Sequence, residues 1–259
     1  MRKYTKAPIS ELIFGVIFNS SVLLKSRILF TLIEELSKEY PIIQTHPAIL
    51  EEDWIDNNLS VNVDYGKSGF SLYRLYSADG YYLVQIQQNC ILLNWVKKDE
   101  IAVGKYPGFT VLFSKFKNII ESVILKFKDH EDLKDLDFKK QIKSYSLTYL
   151  DRVRMDSNNN SCLKILNLKL PKITNEENDV NPETILSKFV MPCPQINGHN
   201  SLTINTANDT HNNRILIVEN RIKGNNSLDT IDEWFIAAHK IQVDLFENLF
   251  TKEILSSWK

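Results

Sequence analysis

The fold of this chain is decided by one C-terminal stretch, Ser227–Trp258, which reads SLDTIDEWFIAAHKIQVDLFENLFTKEILSSW. Its large apolar side chains recur at steps of three and four residues, the spacing of an α-helix with one wide apolar face. The residues of this face are Ile231, Trp234, Phe235, Ala238, Ile241, Leu245, Phe246, Leu249 and Phe250. Asp229 stands at the expected N-cap and Asp232 in the first turn, where exposed amide groups favour negative charge. We therefore predict one helix near 229–250, whose apolar face needs a partner.

Runs rich in β-branched and aromatic residues fill most of the chain before this helix and predict strands. We expect strands over 8–19, 70–77, 81–89, 91–96, 142–155, 163–170, 189–194, 201–205 and 215–223, with one or two more within 41–69. The Asp79-Gly80 turn has the preference of two-residue hairpins and makes 70–96 an antiparallel meander. Likewise, 201–205 is expected to pair with 215–223.

Two further helices are predicted near 24–39 and 109–127 from apolar residues at helical spacing. The first is expected to stop at Tyr40-Pro41, because the residue before a proline disfavours helical backbone angles. The sequence therefore predicts an α+β protein with an antiparallel sheet in two similar halves, each followed by a long amphipathic helix, and with the helices packed on one face of the sheets.

The predicted halves are residues 1–156 and 157–259, with one continuous domain as the alternative. The best candidate for a linker or long loop is the polar segment 171–182. Because both halves run from an antiparallel ladder into a long helix, an internal duplication also stays open.

The charge and cysteine content favour a protein of a reducing compartment. The chain has 31 basic and 32 acidic residues and a net charge of −1, so no global field attracts nucleic acid or an anionic membrane. Cys90, Cys162 and Cys193 are odd in number and lack a CxxC pair, which argues against a disulfide framework. The apolar run 12–18 is too short for a signal peptide or a membrane span. We expect a cytoplasmic protein with no membrane partner.

Five short motifs carry a resemblance to a known family. They are Ala7-Pro8-Ile9-Ser10-Glu11, Tyr40-Pro41, Trp95 followed by Tyr106-Pro107-Gly108-Phe109, Tyr149-Leu150-Asp151-Arg152-Val153, and the last helix with His239. Together they resemble an uncharacterised, sporadically distributed bacterial protein family of about this length. The resemblance implies an α+β fold and, from the family's patchy distribution, a place in defence or toxin–immunity loci. Family members often carry Asn where Asp151 stands here, and the resemblance supplies no catalytic residue.

Glu11, Arg152 and His239 are the candidate catalytic residues. Glu11 lies among apolar neighbours in a predicted strand, where a carboxylate needs a partner such as Arg152 or a raised pKa. His239 sits near the border of the apolar helix face. One interpretation joins these residues and Asp151 in a cleft with a general base and a cation clamp. The other treats Glu11 as a paired charge and His239 as a packed residue with one hydrogen bond.

Arg152, Arg154 and Tyr149 are the candidate binding residues. With Lys143 and Tyr145, they place basic and aromatic side chains along one predicted strand, a combination that suits single-stranded nucleic acid. The alternative is an ordinary solvated strand face, which the balanced overall charge favours.

The common signatures of hydrolases, zinc sites and dinucleotide binding are missing. Gly66-Lys67-Ser68 is like the end of a phosphate-binding loop, but Val61 stands where that loop requires glycine. GxSxG, HExxH and GxGxxG do not occur. We predict no cofactor and no metal, because four scattered residues lack the paired spacing of structural zinc sites. These residues are Cys193, His199, Asp209 and His211.

The favoured function is therefore non-catalytic binding of a protein partner, as an immunity or antitoxin-like protein or an accessory protein of a bacterial defence or toxin system. The partner would be a toxin or a defence effector encoded nearby. Candidate contact surfaces are the polar loops around 197–213 and the acidic stretch 51–53. The alternatives are an enzyme acting on nucleic acid or a nucleotide through Glu11, Arg152 and His239, and a nucleic-acid-binding protein.

Overall fold

A computed structural model describes residues 4, 6–19, 26–47, 71–98, 106–129, 137–155, 162–167, 185–225 and 230–259. Its strands are β1 (Ile9–Phe18), β2 (Ile42–Pro47), β3 (Ser71–Tyr76), β4 (Tyr82–Gln87), β5 (Cys90–Val96), β6 (Ile142–Arg154), β7 (Leu186–Cys193), β8 (Gly198–Asn208) and β9 (Arg214–Asn225). Its helices are α1 (Ser26–Leu36), α2 (Phe109–Asp129), α3 (Phe138–Gln141), α4 (Cys162–Ile165), α5 (Ile231–Leu249) and α6 (Lys252–Ser257), with a 3-10 turn at Pro194–Ile196.

The α+β class is confirmed, but the prediction of a sheet in two halves is wrong. One sheet contains all nine described strands in the order β2-β3-β4-β5-β1-β6-β9-β8-β7. β1 and β6 join its two ends: the Arg152 N–H donates to the Pro8 carbonyl (2.9 Å) and the Asn19 N–H donates to the Gln141 carbonyl (2.8 Å). Both bonds fit one antiparallel register. The hydrogen-bonded ladder of the sheet thus continues across β1 and β6, since these two long strands satisfy each other's backbone groups.

Backbone contacts divide the chain into two compact units, Met1–Leu12 with Ser146–Lys259, and Ile13–Tyr145. β1 and β6 contribute to both units, and the predicted division at residue 156 stays a prediction. In chain order, each of these long strands is followed by a helix, a ladder of strands and a long helix. The repeated order leaves the internal duplication open as an alternative.

In the unit Ile13–Tyr145, aromatic packing joins β1 to α2. The Phe14 ring lies 5.6, 6.0 and 5.5 Å from the rings of Phe109, Phe113 and Phe116. The helical steps of α2 place these residues on one face, as its sequence period predicts. At its surface, Glu35 of α1 accepts a hydrogen bond from Ser122 of α2 at 2.8 Å.

The other unit buries its core between the sheet and the C-terminal helices. Its core cluster joins residues of β6, β8 and β9 to Leu249, Phe250, Ile254 and Leu255. Near the start of α5, Trp234 is fully buried beside Gly224. A Cβ at Gly224 would lie 2.7 Å from the Ile196 carbonyl and 3.1 Å from the Trp234 indole nitrogen. Glycine is therefore required at this position for close packing.

Most of the predicted elements are confirmed. Strands β3, β4 and β5 form the expected meander, and β8 pairs with β9. Gly80 takes the left-handed φ of 68°, but the hairpin is longer than the two-residue form, because the Ser77 N–H donates to the Tyr82 carbonyl. α1, α2 and α5 match the three predicted helices to within a few residues. That all three pack on one face of the sheet stays a prediction.

Other expectations were wrong or lie outside the described residues. The sequence predicts a strand over 163–170, but α4 begins at Cys162, and within the described residues 162–167 only Leu166 makes a β-bridge, to Phe250. That bridge interrupts the C-terminal helical stretch between α5 and α6. The N-cap of α5 is Thr230, one residue after the predicted Asp229. The segments 171–182 and 51–53 lie outside the described residues.

Candidate functional site

A partly buried pair of side chains joins β6 to α5. The Tyr149 hydroxyl and the Nδ1 atom of His239 are 2.9 Å apart, and the two rings lie nearly parallel. Burial of the imidazole lowers the pKa of His239 to about 4. The ring is therefore neutral at pH 7, so Nδ1 can accept the tyrosine proton while Nε2 carries the ring hydrogen.

Gln242 makes the second polar link between α5 and the sheet. Its Nε2 atom donates to the backbone carbonyls of Leu147 at 2.9 Å and Asn220 at 2.8 Å. The side chain is only 2% exposed. Because Leu147 belongs to β6 and Asn220 to β9, this one amide fixes the helix over two neighbouring strands. The sequence pattern did not single it out, since a glutamine on a predicted apolar face gives no signal of its own.

Asp151 is a buried carboxylic acid on β6. It is 3% exposed, and its Oδ1 accepts no hydrogen bond within the described part of the chain. Burial raises the pKa of this side chain to about 7. Tyr149, Asp151 and Val153 alternate along the strand and all three are buried, so they occupy the same face. This acid is therefore part of the interior and is half-protonated near neutral pH.

The structure brings His239 and Tyr149 together and places Arg152 elsewhere. Arg152 follows the buried Asp151 on β6 and is exposed, so its side chain points to the opposite face of the strand. In the register set by the β1–β6 hydrogen bonds, Glu11 lies opposite Tyr149, and Pro8 lies opposite Arg152. Glu11 is partly buried. Arg152 and the Tyr149–His239 pair thus lie on different faces of β6.

The predicted basic and aromatic strip also divides between the two faces of β6. Arg152 and Arg154 are exposed, and Arg154 lies 4.0 Å from Asp209. Tyr145 and Tyr149 are 2% and 8% exposed. Bases stack on aromatic rings that solvent can reach. These two buried tyrosines therefore offer no such surface.

β7 forms one end of the sheet and exposes large apolar side chains. Leu186 is 63%, Phe189 43% and Val190 54% exposed. The strand pairs with β8 along its whole length, and among the described strands β8 is its one neighbour. β7 thus combines a backbone edge with apolar side chains, the combination found where a second chain adds a strand.

The direction of the β7 backbone groups follows from one hydrogen bond. The Thr206 N–H donates to the Ile185 carbonyl at 3.0 Å. In an antiparallel pair, residues that bond to the neighbouring strand alternate with residues whose backbone groups point away. Leu186, Lys188 and Val190 therefore direct their N–H and C=O groups to the outer edge. Pro192 is the next outward position, and proline is tolerated there because it has no N–H.

No group of three or more His, Cys, Asp or Glu side chains suited to a metal ion occurs among the described residues. The three cysteines are free thiols, all buried. Burial raises the pKa of Cys162 and of Cys193. Both thiols are therefore kept in the protonated, weakly nucleophilic form.

Comparisons with known proteins give no relative for this chain: no family model matches it, and neither the curated proteins nor the solved structures contain a match. In the described part of the chain, no helix combines the length and the apolar character needed to cross a bilayer.

Proposed function

We propose that this protein binds a protein partner and acts without catalysis, as an immunity or antitoxin-like protein or an accessory protein of a bacterial defence or toxin system. The observation that supports the binding role is the edge strand β7, with Leu186, Phe189 and Val190 exposed beside outward-pointing backbone groups. Long edge strands with apolar side chains are unfavourable for a protein that works alone, because they pair with other chains. The defence or toxin context rests on the resemblance to the sporadically distributed family.

Catalysis by Glu11, Arg152 and His239 is less well supported. A general base and a cation clamp must reach the same substrate atoms, whereas Arg152 lies on the face of β6 opposite to Tyr149 and its partner His239. The low pKa of His239 comes from burial, and its Nδ1 is already engaged by Tyr149. The pair is better explained as a polar link between β6 and α5.

The proposal is tested by affinity purification of the tagged chain, at native level, from its source organism with neighbouring genes intact. We expect a stoichiometric protein partner with the natural chain and its loss with the double variant Leu186→Asp, Val190→Asp. Lys240→Glu, an exposed change on α5, is the matched control and should retain the partner. Recovery of the natural chain alone, with no partner under any growth condition that expresses the neighbouring genes, would contradict the proposal.

A further inference from the structure

We infer that the outer edge of β7 binds an extended acidic segment of the partner by β-strand addition. This inference rests on the proposed function and specifies the chemistry of the partner. Leu186, Lys188 and Val190 offer outward N–H and C=O groups at alternate positions, while Ser187, Phe189 and Met191 bond to β8. An added strand would hydrogen-bond to three consecutive outward residues and stop at Pro192, which has no N–H to donate.

The side chains of the outward residues define the pattern that an added strand must match. Leu186, Lys188 and Val190 share one face of the sheet because they alternate along the strand, and all three are exposed. In the added strand, the residue directly opposite Lys188 should be Asp or Glu. The residues two positions before and after it lie opposite Leu186 and Val190 and should be apolar. Phe189 offers an apolar contact on the other face.

The rest of this sheet face adds positive charge. In the pairing register, Val190, Ser201 and Arg221 form one cross-strand row, and Pro192, His199 and Lys223 form the next. On β6, Arg152 and Arg154 occupy the same face, and Arg154 lies 4.0 Å from Asp209, which follows β8. Among the described strand residues of this face, the one carboxylate is Glu219, which bonds to Arg221 at 2.9 Å. An acidic segment is therefore attracted to the face before it pairs with β7.

Two other occupants of this edge fit less well. In a second copy of the chain, a two-fold pairing that uses all three outward residues would place Lys188 opposite its own copy, and like charges directly opposite each other are unfavourable. A nucleic acid strand would be attracted by the cations, but it cannot continue a ladder of peptide N–H and C=O groups. The apolar residues Leu186 and Val190 would also be left without a suitable contact.

The test uses the full chain and three synthetic peptides of alternating threonine and valine with a central Glu, Gln or Lys (TVTETVT, TVTQTVT and TVTKTVT). Amide NMR titration should show shift changes centred on Leu186, Lys188 and Val190. The Glu peptide should bind about tenfold more tightly than the Lys peptide. Lys188→Glu should reverse that order, and Lys240→Glu, the control for net charge, should leave it unchanged.

A second pair of variants tests the backbone ladder. Val190→Pro removes an outward N–H and leaves the hydrogen bonds to β8 in place. This variant should bind the Glu peptide about tenfold more weakly than the natural chain does. Val190→Thr keeps both the N–H and the branched shape, and should bind as the natural chain does. Circular dichroism and thermal unfolding of each variant establish that the fold is intact.

Several outcomes would overturn the inference. The peptide results would do so if millimolar peptide changed no amide shift at β7, if Lys188→Glu left the order of peptide affinities unchanged, or if Val190→Pro and Val190→Thr bound the Glu peptide equally. A dimer of the chain formed through β7 in solution would also overturn it. So would an oligothymidylate that binds the same amides with higher affinity than the Glu peptide. If the partner recovered from the source organism still binds Val190→Pro and Lys188→Glu, only the strand-addition inference fails. If no partner is recovered at all, the proposed function itself fails.

Discussion

The hydroxyl of Tyr149 and the Nδ1 atom of His239 lie 2.9 Å apart, although the residues are 90 positions apart in the chain. This contact joins the strand β6 to the helix α5 inside a partly buried site. Together with the two hydrogen bonds from Gln242, it links α5 to β6 and β9 through polar groups.

The first prediction concerns His239 and acid. The folded-state pKa of His239 is about 4, below the ordinary value of 6.5. As the pH falls, this side chain therefore takes up a proton in the unfolded chain before it does so in the folded chain. This contribution to stability is complete above pH 6.5 and is lost as the pH falls towards 4, by about 2 kcal/mol for a partly buried ring. Urea unfolding at pH 7.5 and 4.5 should therefore show a smaller loss for His239→Phe than for the natural chain. Equal losses would contradict the prediction, and Tyr149→Phe, which keeps the histidine, serves as the control.

The second prediction concerns Asp151, whose pKa is shifted in the opposite sense. Its folded-state pKa is raised from 3.8 to about 7, so the contribution is fully present below pH 3.8 and is lost as the pH rises through 7. Asp151→Asn cannot ionise and should raise the free energy of unfolding at pH 8 by about 3 kcal/mol, with little change at pH 3.5. Chemical denaturation at both pH values measures the difference. A gain of the same size at both would mean that ionisation is not the cause.

The third prediction concerns Gln242. Gln242→Met preserves the length of the side chain but leaves the Leu147 and Asn220 carbonyls without their amide donor. We expect a loss of about 2 to 4 kcal/mol in the free energy of unfolding, because two buried acceptors lose a hydrogen bond. Lys240→Met, at an exposed position of the same helix, should change stability by less than about 0.5 kcal/mol. If the two variants unfold at the same urea concentration, the carbonyls must be satisfied in another way.

The fourth prediction concerns the start of α5. The Thr230 hydroxyl accepts from the Glu233 N–H and the Glu233 carboxylate accepts from the Thr230 N–H, both at 3.1 Å. Thr230→Ala removes half of this capping box and should cost about 1 kcal/mol, while Thr230→Ser should cost much less. Thermal unfolding of the three chains measures the order. A serine variant as unstable as the alanine variant would show that the hydroxyl is not the stabilising group.

Several local signals were sufficient to predict their elements. The helical spacing in 109–127 and 229–250 placed α2 and α5, because an amphipathic helix repeats its buried face every three to four residues. The Asp79-Gly80 pair placed a turn, since glycine takes a positive φ without steric cost. At the start of α5, two adjacent residues, Asp229 and Thr230, are both suitable N-caps, and the structure uses Thr230.

The candidate site was much less accessible from the sequence. The sequence marks His239 and Tyr149 as candidate site residues, but nothing in their spacing indicates that they meet. Arg152 is a candidate partner of both residues, yet strand alternation places it on the opposite face of β6. The edge position of β7 was not predicted either, because the identity of a strand's neighbours is a long-range property.

The sequence by itself thus determined the class of fold, most of the helices and strands, and the apolar faces that they bury, since these follow from side-chain periods and turn residues over a few positions. Only the tertiary structure decided that β1 and β6 unite the strands in one sheet, that Asp151 is enclosed and largely uncharged below neutral pH, and that Leu186, Lys188 and Val190 direct their backbone groups outward. These properties depend on which distant segments pair. The pairing is set by the free energy of the whole core and of all the strand pairs together, which cannot be inferred from any short stretch of sequence.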